Sequence, residues 1–575
     1  MNALLSPFMR FSRKYFGILF LFVFSVIPYA NTLTNSFVWD DHDFIVDRYE
    51  IRDIGNVAKY FTQDVYGIYR PLREILYHYA YSSSGNSPLY YHLMAILFHA
   101  SVVILAFLVI RKLFGYDIAF FASLIFAVHP LHIERVTNMT ASFDILGIIL
   151  FLLSFFFYIS YREKADKKML VFSIVTFALS LLASEEALTL PFLVILYEFV
   201  FGRDGHAGYY KAIPHFALLA GFVIFRTFVL GIGARTQEYP GGSFFVTFLT
   251  MPKIIIEYLL LVFFPFGLTP FRKVEYVNSF GIWFVLPVIA ILLCFYLVYK
   301  YRKNNALVFF SGWFVIALLP FLNILPLQKI IAERYMYVAS LALIALISCL
   351  ILKFKKYSYQ ILGIVVTFFI ILTLHNNSFW KDDFTLYSRG LSLNPEDVQA
   401  NNNMGKFFFD MGDYETAFYY YNASIKTNPR YHKALVNMGV LQSKIGNYRE
   451  SVNYFITAIN VTPGSWLAYE KLGITYMRAG DNESARQMFL TAIKLNENYY
   501  SAYSKLAALY GNMGNYSLAL AYIEKALEIN PYYAEAHFNL GVLYELNGRM
   551  EEAKQFYINA AVLDPGNKAY QEKAR

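Results

Sequence analysis

At 575 residues the chain has room for several domains, and with 57% hydrophobic, 19% aromatic and 16% charged residues it is too apolar for an ordinary soluble protein. Its formal charge of +8 is spread over short Lys and Arg clusters between apolar runs, which speaks against a nucleic-acid partner and for membrane orientation. Two cysteines, Cys294 and Cys349, both inside apolar runs, leave no disulfide framework or thiolate metal site and are expected to pack as small hydrophobes.

A hydrocarbon core of ~30 Å takes about 20 mainly apolar residues per helix. Read this way, segments 15–30, 91–110, 117–128, 143–161, 169–183, 187–201, 212–230, 280–299, 306–322, 335–352 and 359–374 are predicted to cross. Another apolar stretch, 244–264, is interrupted by Pro252 and closed by Pro265. Basic residues collect at alternate ends of these segments. Arg10, Arg13 and Lys14 come first, then Arg111 and Lys112, then Arg162, Lys164, Lys167 and Lys168, then Arg203 and Lys211. Lys300, Arg302 and Lys303 follow, and last come Lys353, Lys355 and Lys356.

The alternation holds for about eleven crossings if 244–264 is interfacial or re-entrant. It puts the N-terminus in the cytoplasm and everything after Leu374 outside. Pro28-Tyr-Ala30 loosely resembles a signal-cleavage site, and cleavage there would leave the remaining topology unchanged. The Asn-, Lys- and Tyr-rich composition and modest length favour a prokaryotic plasma membrane. Residues 1–374 then form a membrane domain with a first external loop at 31–90, 375–394 a linker helix, and 395–575 a separate region.

That region is periodic. Asn394-Pro395, Asn428-Pro429, Thr462-Pro463, Asn496-Glu497, Asn530-Pro531 and Asp564-Pro565 recur every 34 residues. Within each unit one small position is held by Gly405, Gly439, Gly473, Ala507 and Gly541. A turn glycine follows at Gly412, Gly446, Gly480, Gly514 and Gly548, and another small residue at Ala417, Ser451, Ala485, Ala519 and Ala553. Small residues let paired helices approach, and glycine ends the first helix in a left-handed turn. This is a tetratricopeptide signature, predicting five repeats and a C-terminal cap stacked as a solenoid whose concave face binds a peptide or partner protein. Tyr419, Tyr420, Tyr421, Tyr499, Tyr500, Tyr503, Tyr532 and Tyr533 are expected mostly to pack between helices, with some left to line a groove.

Polar residues gather at the outer ends of the apolar segments. The first loop opens with Phe37-Val-Trp-Asp-Asp-His-Asp43 and later carries Tyr69-Arg70-Pro-Leu-Arg73. Next come His129-Pro-Leu-His132-Ile-Glu134-Arg135 with Asp144, then Ser184-Glu185-Glu186, then Ala332-Glu333-Arg334-Tyr335. Carboxylates, imidazoles and arginines at one face of a lipid-embedded bundle suit sugar transfer from a lipid-linked phosphate. Asp40 or Asp41 can deprotonate the acceptor hydroxyl, while Arg334, Arg135, His129 or His132 neutralises the departing phosphate. Each has a plainer reading: paired loop aspartates are often solvated or capping, His129 beside Pro130 can cap a helix break, and Glu333 with Arg334 can be an interfacial ion pair. G-x-x-x-x-G-K, H-E-x-x-H and G-x-S-x-G are absent.

With these motifs in view, the chain resembles the transmembrane and tetratricopeptide-repeat-containing protein O-mannosyltransferases of the C-type glycosyltransferase superfold. The likeness rests on Trp39-Asp-Asp41, Tyr69-Arg-Pro-Leu72, His129-Pro-Leu-His-Ile-Glu134 with Asp144, Ala332-Glu-Arg-Tyr335, Asn377-Ser-Phe-Trp380 with Leu386-Tyr387, and Phe225-Arg226 through Pro265 to Leu268. It implies an all-α polytopic bundle followed by an α-solenoid, and a polyprenyl-phosphate mannose donor. It also implies Ser or Thr acceptors on exported proteins, inversion at the sugar carbon, and Asp40 and Asp41 as leading catalytic residues, with Glu134, Asp144, Glu186, Arg70 and Glu333 in support. Two departures stand out. Glu185 replaces a family lysine and Arg135 a small residue, so that Arg135 is expected to offset Glu185 if the two sites adjoin. Metal use is open within the superfold, and Asp40, Asp41, Asp43 and Glu134 are the candidate oxygen donors should Mg or Mn bind.

Two other functions compete. A non-enzymatic membrane scaffold whose repeats dock an envelope or export assembly needs neither so many crossings nor clustered polar motifs. A transporter is disfavoured by the scarcity of midplane charge.

Overall fold

The structure, a computed structural model, describes residues 7–65, 67–232 and 238–575, with side chains from Phe16 onward. Arg10, Arg13 and Lys14 therefore have side chains outside the described residues. The chain is all-α, and among the described residues the one β feature is an isolated bridge between Val65 and Ile68. It divides into two compact units, Met1–Arg389 and Gly390–Arg575.

The first unit opens with α1 (Pro7–Val26), then the first loop with α2 (Val57–Tyr60) and α3 (Pro71–Ser84). α3 starts on a proline whose missing N–H costs nothing there, and ends at Gly85 with φ 58°. α4 (Pro88–Phe114) begins and ends the same way, on Pro88 and Gly115. α5 (Tyr116–Val128) is almost wholly buried between α1, α4, α15 and α16, introduced below, and so forms the centre of the bundle. The chain then bends by 57° at His129-Pro130 into α6 (Ile133–Thr137) and α7 (Met139–Ser142).

α8 (Ile145–Lys164) pairs with α9 (Lys167–Leu181), whose start is capped by the Asp166 side chain. α10 (Leu190–Phe201), α11 (Ile213–Ile224), α12 (Phe244–Phe263), α13 (Ile282–Lys300) and α14 (Asn305–Leu318) follow, then α15 (Met336–Lys353) and α16 (Ser358–Asn377). Asn377 stitches the end of α16 back to the end of the first span, donating to Pro28 O at 2.8 Å and Asn31 Oδ1 at 3.1 Å.

Among the described residues eight helical segments are long and apolar enough to cross a membrane, and a ninth if the bent pair at 116–137 is one span. The chain is a multi-pass membrane protein. The difference from the eleven predicted segments is one of length: 169–183, 187–201 and 306–322 form helices of fewer than 18 residues. Segment 244–264 differs in the opposite sense. Pro252 does not interrupt it, and α12 runs unbroken for 20 residues with the Thr247 and Thr250 hydroxyls bonded to carbonyls four residues earlier. Segment 264–281 then doubles back along it, with Val277 N–H bonded to Thr250 Oγ1 and Phe280 edge-to-face with Phe245. α13 has no buried residue and leans on α12 and α14. Cys294 is exposed on it and does not pack into a core, whereas Cys349 is half-buried.

The boundary between units falls inside α17 (Asp383–Leu393), so most of the predicted linker helix 375–394, as far as Arg389, falls in the first unit. The second unit is five antiparallel helix pairs. They are α18 (Val398–Asp410) with α19 (Tyr414–Thr427), α20 (His432–Lys444) with α21 (Tyr448–Val461), and α22 (Trp466–Ala479) with α23 (Asn482–Leu495). α24 (Tyr500–Asn512) with α25 (Tyr516–Ile529) and α26 (Ala534–Leu546) with α27 (Met550–Leu563) complete them, and α28 (Lys568–Ala574) closes the row. The turn glycines take φ between 74° and 89°, a region that penalises any Cβ. Gly405, Gly439, Gly473 and Gly541 each lie under a ring, of Tyr421, Phe455, Phe489 and Tyr557 in turn. Where the fourth repeat has Ala507, the opposing residue is the smaller Ile523. Tyr421 is thus buried, Tyr419 is exposed, and the Tyr499 and Tyr533 hydroxyls donate to Glu470 and Glu535.

Candidate active site

Helix ends in lipid leave carbonyls that something must satisfy. At the broken end of α5 the last three are met by side chains: Phe126 O by His132 Nδ1 at 2.9 Å, Ala127 O by His99 Nε2 at 3.1 Å, and Val128 O by the Thr373 hydroxyl at 2.8 Å. His129 Nε2 does the same for Val262 O near the end of α12, at 3.0 Å, while its Nδ1 accepts from Leu131 N–H. The second nitrogen of His132 meets Ser340 Oγ at 2.9 Å. Both imidazoles are fully buried with both nitrogens engaged. This corrects the expectation that His129 and His132 bind the donor phosphate; they are carbonyl caps at helix breaks.

The break at 129–130 carries the polar motif to one end of the bundle, where the other three polar segments meet it. Arg70 bonds Asp144 and Glu185, Arg73 reaches Asp144 at 3.5 Å, and Arg135 bonds Glu186 and reaches Asp144 at 3.5 Å. Three guanidinium groups therefore converge on one buried carboxylate, as burial of charge requires. Arg135 is 4% exposed and closed by its partners, so it is not open to a ligand phosphate. The cation that offsets Glu185 is Arg70; Arg135 serves Glu186, a correction to the predicted compensation.

Beside this network Glu134 accepts from Arg334 through both oxygens, one to the backbone N–H at 3.0 Å and one to the guanidinium. Glu333 accepts from Thr269 N–H at 2.8 Å and Arg272 Nη2 at 3.2 Å. Arg334 and Arg272 keep side-chain exposures of 20% and 22%. Lys329 is half-buried and lies 4.5 Å over the Trp39 ring.

The acidic loop lies against these cations. Asp41 is fully buried: Oδ1 accepts from the Thr140 N–H and hydroxyl, both at 2.8 Å, and Oδ2 from Val38 N–H at 3.2 Å. Burial outweighs those bonds and pushes its carboxyl up to about 6. Asp41 thus pins the loop to α7, its carboxylate buried and taken up by protein donors, so that of the pair only Asp40 is left partly exposed. Asp40 is half-buried and within electrostatic reach of Arg334. Trp39 holds φ at 55°, a left-handed conformation rarely taken by a bulky residue, and its ring packs on Phe271 at 5.5 Å. Asp383 anchors the loop from the other side, accepting from Trp39 N–H at 2.9 Å and meeting His42 Nε2 at 2.8 Å. Burial pushes the Asp383 carboxyl up, but His42 and the Trp39 N–H prevail and hold it below the usual range.

The metal candidates do not assemble. Asp41 is spent on Thr140 and Val38, Glu134 on Arg334, and Asp43 is exposed on the turn beyond. Among the described residues no three His, Cys, Asp or Glu side chains converge as a metal site. Lys329, Arg272, Asp383 and Thr140 belong to the site but escaped the sequence reading. The available signals were positional: Lys329 precedes the Ala332–Tyr335 motif, Asp383 lies between Trp380 and Leu386-Tyr387, and Thr140 lies between Glu134 and Asp144.

Residues 80–230, which contribute Glu134, Arg135, Asp144, Glu185 and Glu186, match the family described as dolichyl-phosphate-mannose-protein mannosyltransferase. Residues 398–431, 436–500 and 513–574 match tetratricopeptide repeats. The Caenorhabditis elegans protein O-mannosyl-transferase F38B6.6 is 28% identical over 429 residues, 69% of this chain and 60% of that protein. This chain is similar to the TMTC-type protein O-mannosyl-transferases. Human TMTC3 is 26% identical over 68% of the chain and 49% of its own length, and mouse TMTC4 24% identical over 69% and 64%. The chain therefore matches about half to two-thirds of the length of these TMTC relatives.

Proposed function

We propose that this TMTC relative is a membrane glycosyltransferase that moves mannose from a polyprenyl-phosphate donor to Ser or Thr hydroxyls of exported proteins, its repeats binding the acceptor. The observation that carries the reading is the setting of Asp40: a half-buried carboxylate on a pinned loop, within electrostatic reach of Arg334, with Lys329 over the neighbouring Trp39. In the reaction the Asp40 carboxylate takes the acceptor hydroxyl proton as the oxygen attacks the sugar carbon. The bond from that carbon to the phosphate oxygen breaks with inversion, and the phosphate leaves with its charge met by Arg334 and Lys329. Glu134 holds Arg334 in place, Glu333 holds Arg272, and Asp144, Glu186 and Arg70 form the ion network beside them. In this reading the N-terminus is cytoplasmic and the site and repeats lie on the external side.

The test is transfer of labelled mannose from polyprenyl-phosphate mannose to envelope proteins by the purified chain and its Asp40→Asn variant. Loss of a general base predicts a fall of about 10²–10⁴ in rate with the variant still folded. Absence of transfer from any lipid-linked sugar, with the repeats still capturing a specific partner, would replace this reading by the scaffold.

A further inference from the structure

Asp40 is flanked by two anchored residues. On one side Asp41 is tied to α7 through Thr140, and Phe37 and Ile45 are buried in a core with Tyr77, Tyr91 and Phe143. On the other side stands Trp39, in its left-handed conformation, with its backbone N–H given to Asp383. A bulky residue keeps a disfavoured φ only where its surroundings over-determine it. Three contacts do so here: the Asp383 bond, the Phe271 ring, and the Lys329 ammonium over the indole. Asp383 also takes His42, three residues on, so one carboxylate spans the whole turn that presents Asp40. The strap is completed by backbone, with Ser36 N–H bonded to Lys381 O at 2.9 Å and the Asn35 amide donating to Trp380 O at 3.1 Å.

We propose that Asp383 is a positioning residue for the reaction, holding the strained turn at Trp39 so that Asp40 stands at the acceptor hydroxyl. The proposal rests on the glycosyltransferase reading above. Its carboxylate touches neither sugar nor phosphate; it acts through Trp39 and His42. Asp383 is also the first residue of α17, the helix that continues in the chain to the repeats. The loop that bears the base is thus fastened to the segment through which any acceptor-binding region is attached.

The experiment compares the full chain with Asp383→Ala and Asp383→Asn. Asparagine keeps an oxygen to accept the Trp39 N–H, whereas alanine removes that bond, the His42 bond and the one from the Tyr387 hydroxyl. For a misplaced base, Asp383→Ala is expected to lower kcat about 30- to 100-fold, with KM for polyprenyl-phosphate mannose changed less than about twofold, and Asp383→Asn to recover most of the loss. A kcat for Asp383→Ala within about threefold of the parent, or a KM that rises as kcat falls, would overturn the assignment. Hydrogen exchange on the same detergent-solubilised proteins gives a readout independent of activity. Residues 36–47 should exchange faster in Asp383→Ala while α4 and α5 keep their protection. Unchanged exchange in 36–47 sinks the proposal even if the parent transfers no sugar, a result that would by itself end the glycosyltransferase reading.

Discussion

The two adjacent aspartates of the first loop look alike in sequence and are opposites in the fold. Asp41 spends its carboxylate on Thr140 and Val38, so its titration acts on stability. Its ordinary value near 3.8 is pushed up to about 6 by burial, so between those pH values the folded chain binds a proton that the unfolded chain has released. Stability from this group is therefore present below about pH 4 and is lost as pH rises through 6, by on the order of 3 kcal/mol at most. The difference in thermal midpoint between the parent and Asp41→Asn, followed from pH 4 to 7, should shrink in the parent's disfavour as pH rises. A difference flat with pH would show that Asp41 does not titrate in this window. The histidines carry the same lesson. Their motif looked chemical, but neither imidazole is available for chemistry, because each answers a carbonyl stranded by a helix end.

At the level of elements, what could be read from the sequence was local. A 34-residue spacing, a glycine in a left-handed turn and a proline opening a helix are decided by a few neighbouring residues, and these parts of the fold were legible. The apolar runs were legible for the same reason. Pairings across 50 to 345 residues were not, because nothing local distinguishes Glu185 meeting Arg70 from Glu185 meeting Arg135, or assigns Asp383 to Trp39. Pro252 misled because a proline removes only one intrahelical bond, and the apolar run on both sides carries α12 through it. Within the repeats the pairing of Gly473 with the Phe489 ring gives a direct test. A Cβ at residue 473 would fall 2.7 Å from that ring, so Gly473→Ala should destabilise the repeats by about 1–3 kcal/mol despite alanine's better helix propensity. Adding Phe489→Ile copies the Ala507 and Ile523 pair and should restore most of the midpoint in thermal unfolding. No recovery in the double variant would mean that the ring, and not the small residue, carries the packing.

For the whole molecule, α12 decides how the membrane is threaded. Its last turns are tied to His129 and Ala332, and its first turns to the 275–280 return and, through Tyr239 just before it, to Ile324 O at 3.1 Å. Residues 324 and 332 lie in one connection between α14 and α15, so α12 is tied near both ends to a single connection, as the re-entrant or interfacial reading of this segment expects. Single cysteines at Glu238 and Lys273, in a chain whose Cys294 and Cys349 are first changed to serine, should accordingly react with a membrane-impermeant maleimide from the same side of a sealed vesicle. Labelling from opposite sides would make α12 a crossing and invert the location of the repeats. The repeats themselves carry a restriction of a genetic kind. Since each small residue and its ring lie on the two helices of one repeat, the pair must be inherited together. An unequal recombination that cut between them, joining α24 to the second helix of a neighbouring repeat, would set a phenyl ring against the Ala507 methyl. Crossovers in the loops between repeats escape that penalty, so such an array lengthens or shortens most easily by whole helix pairs.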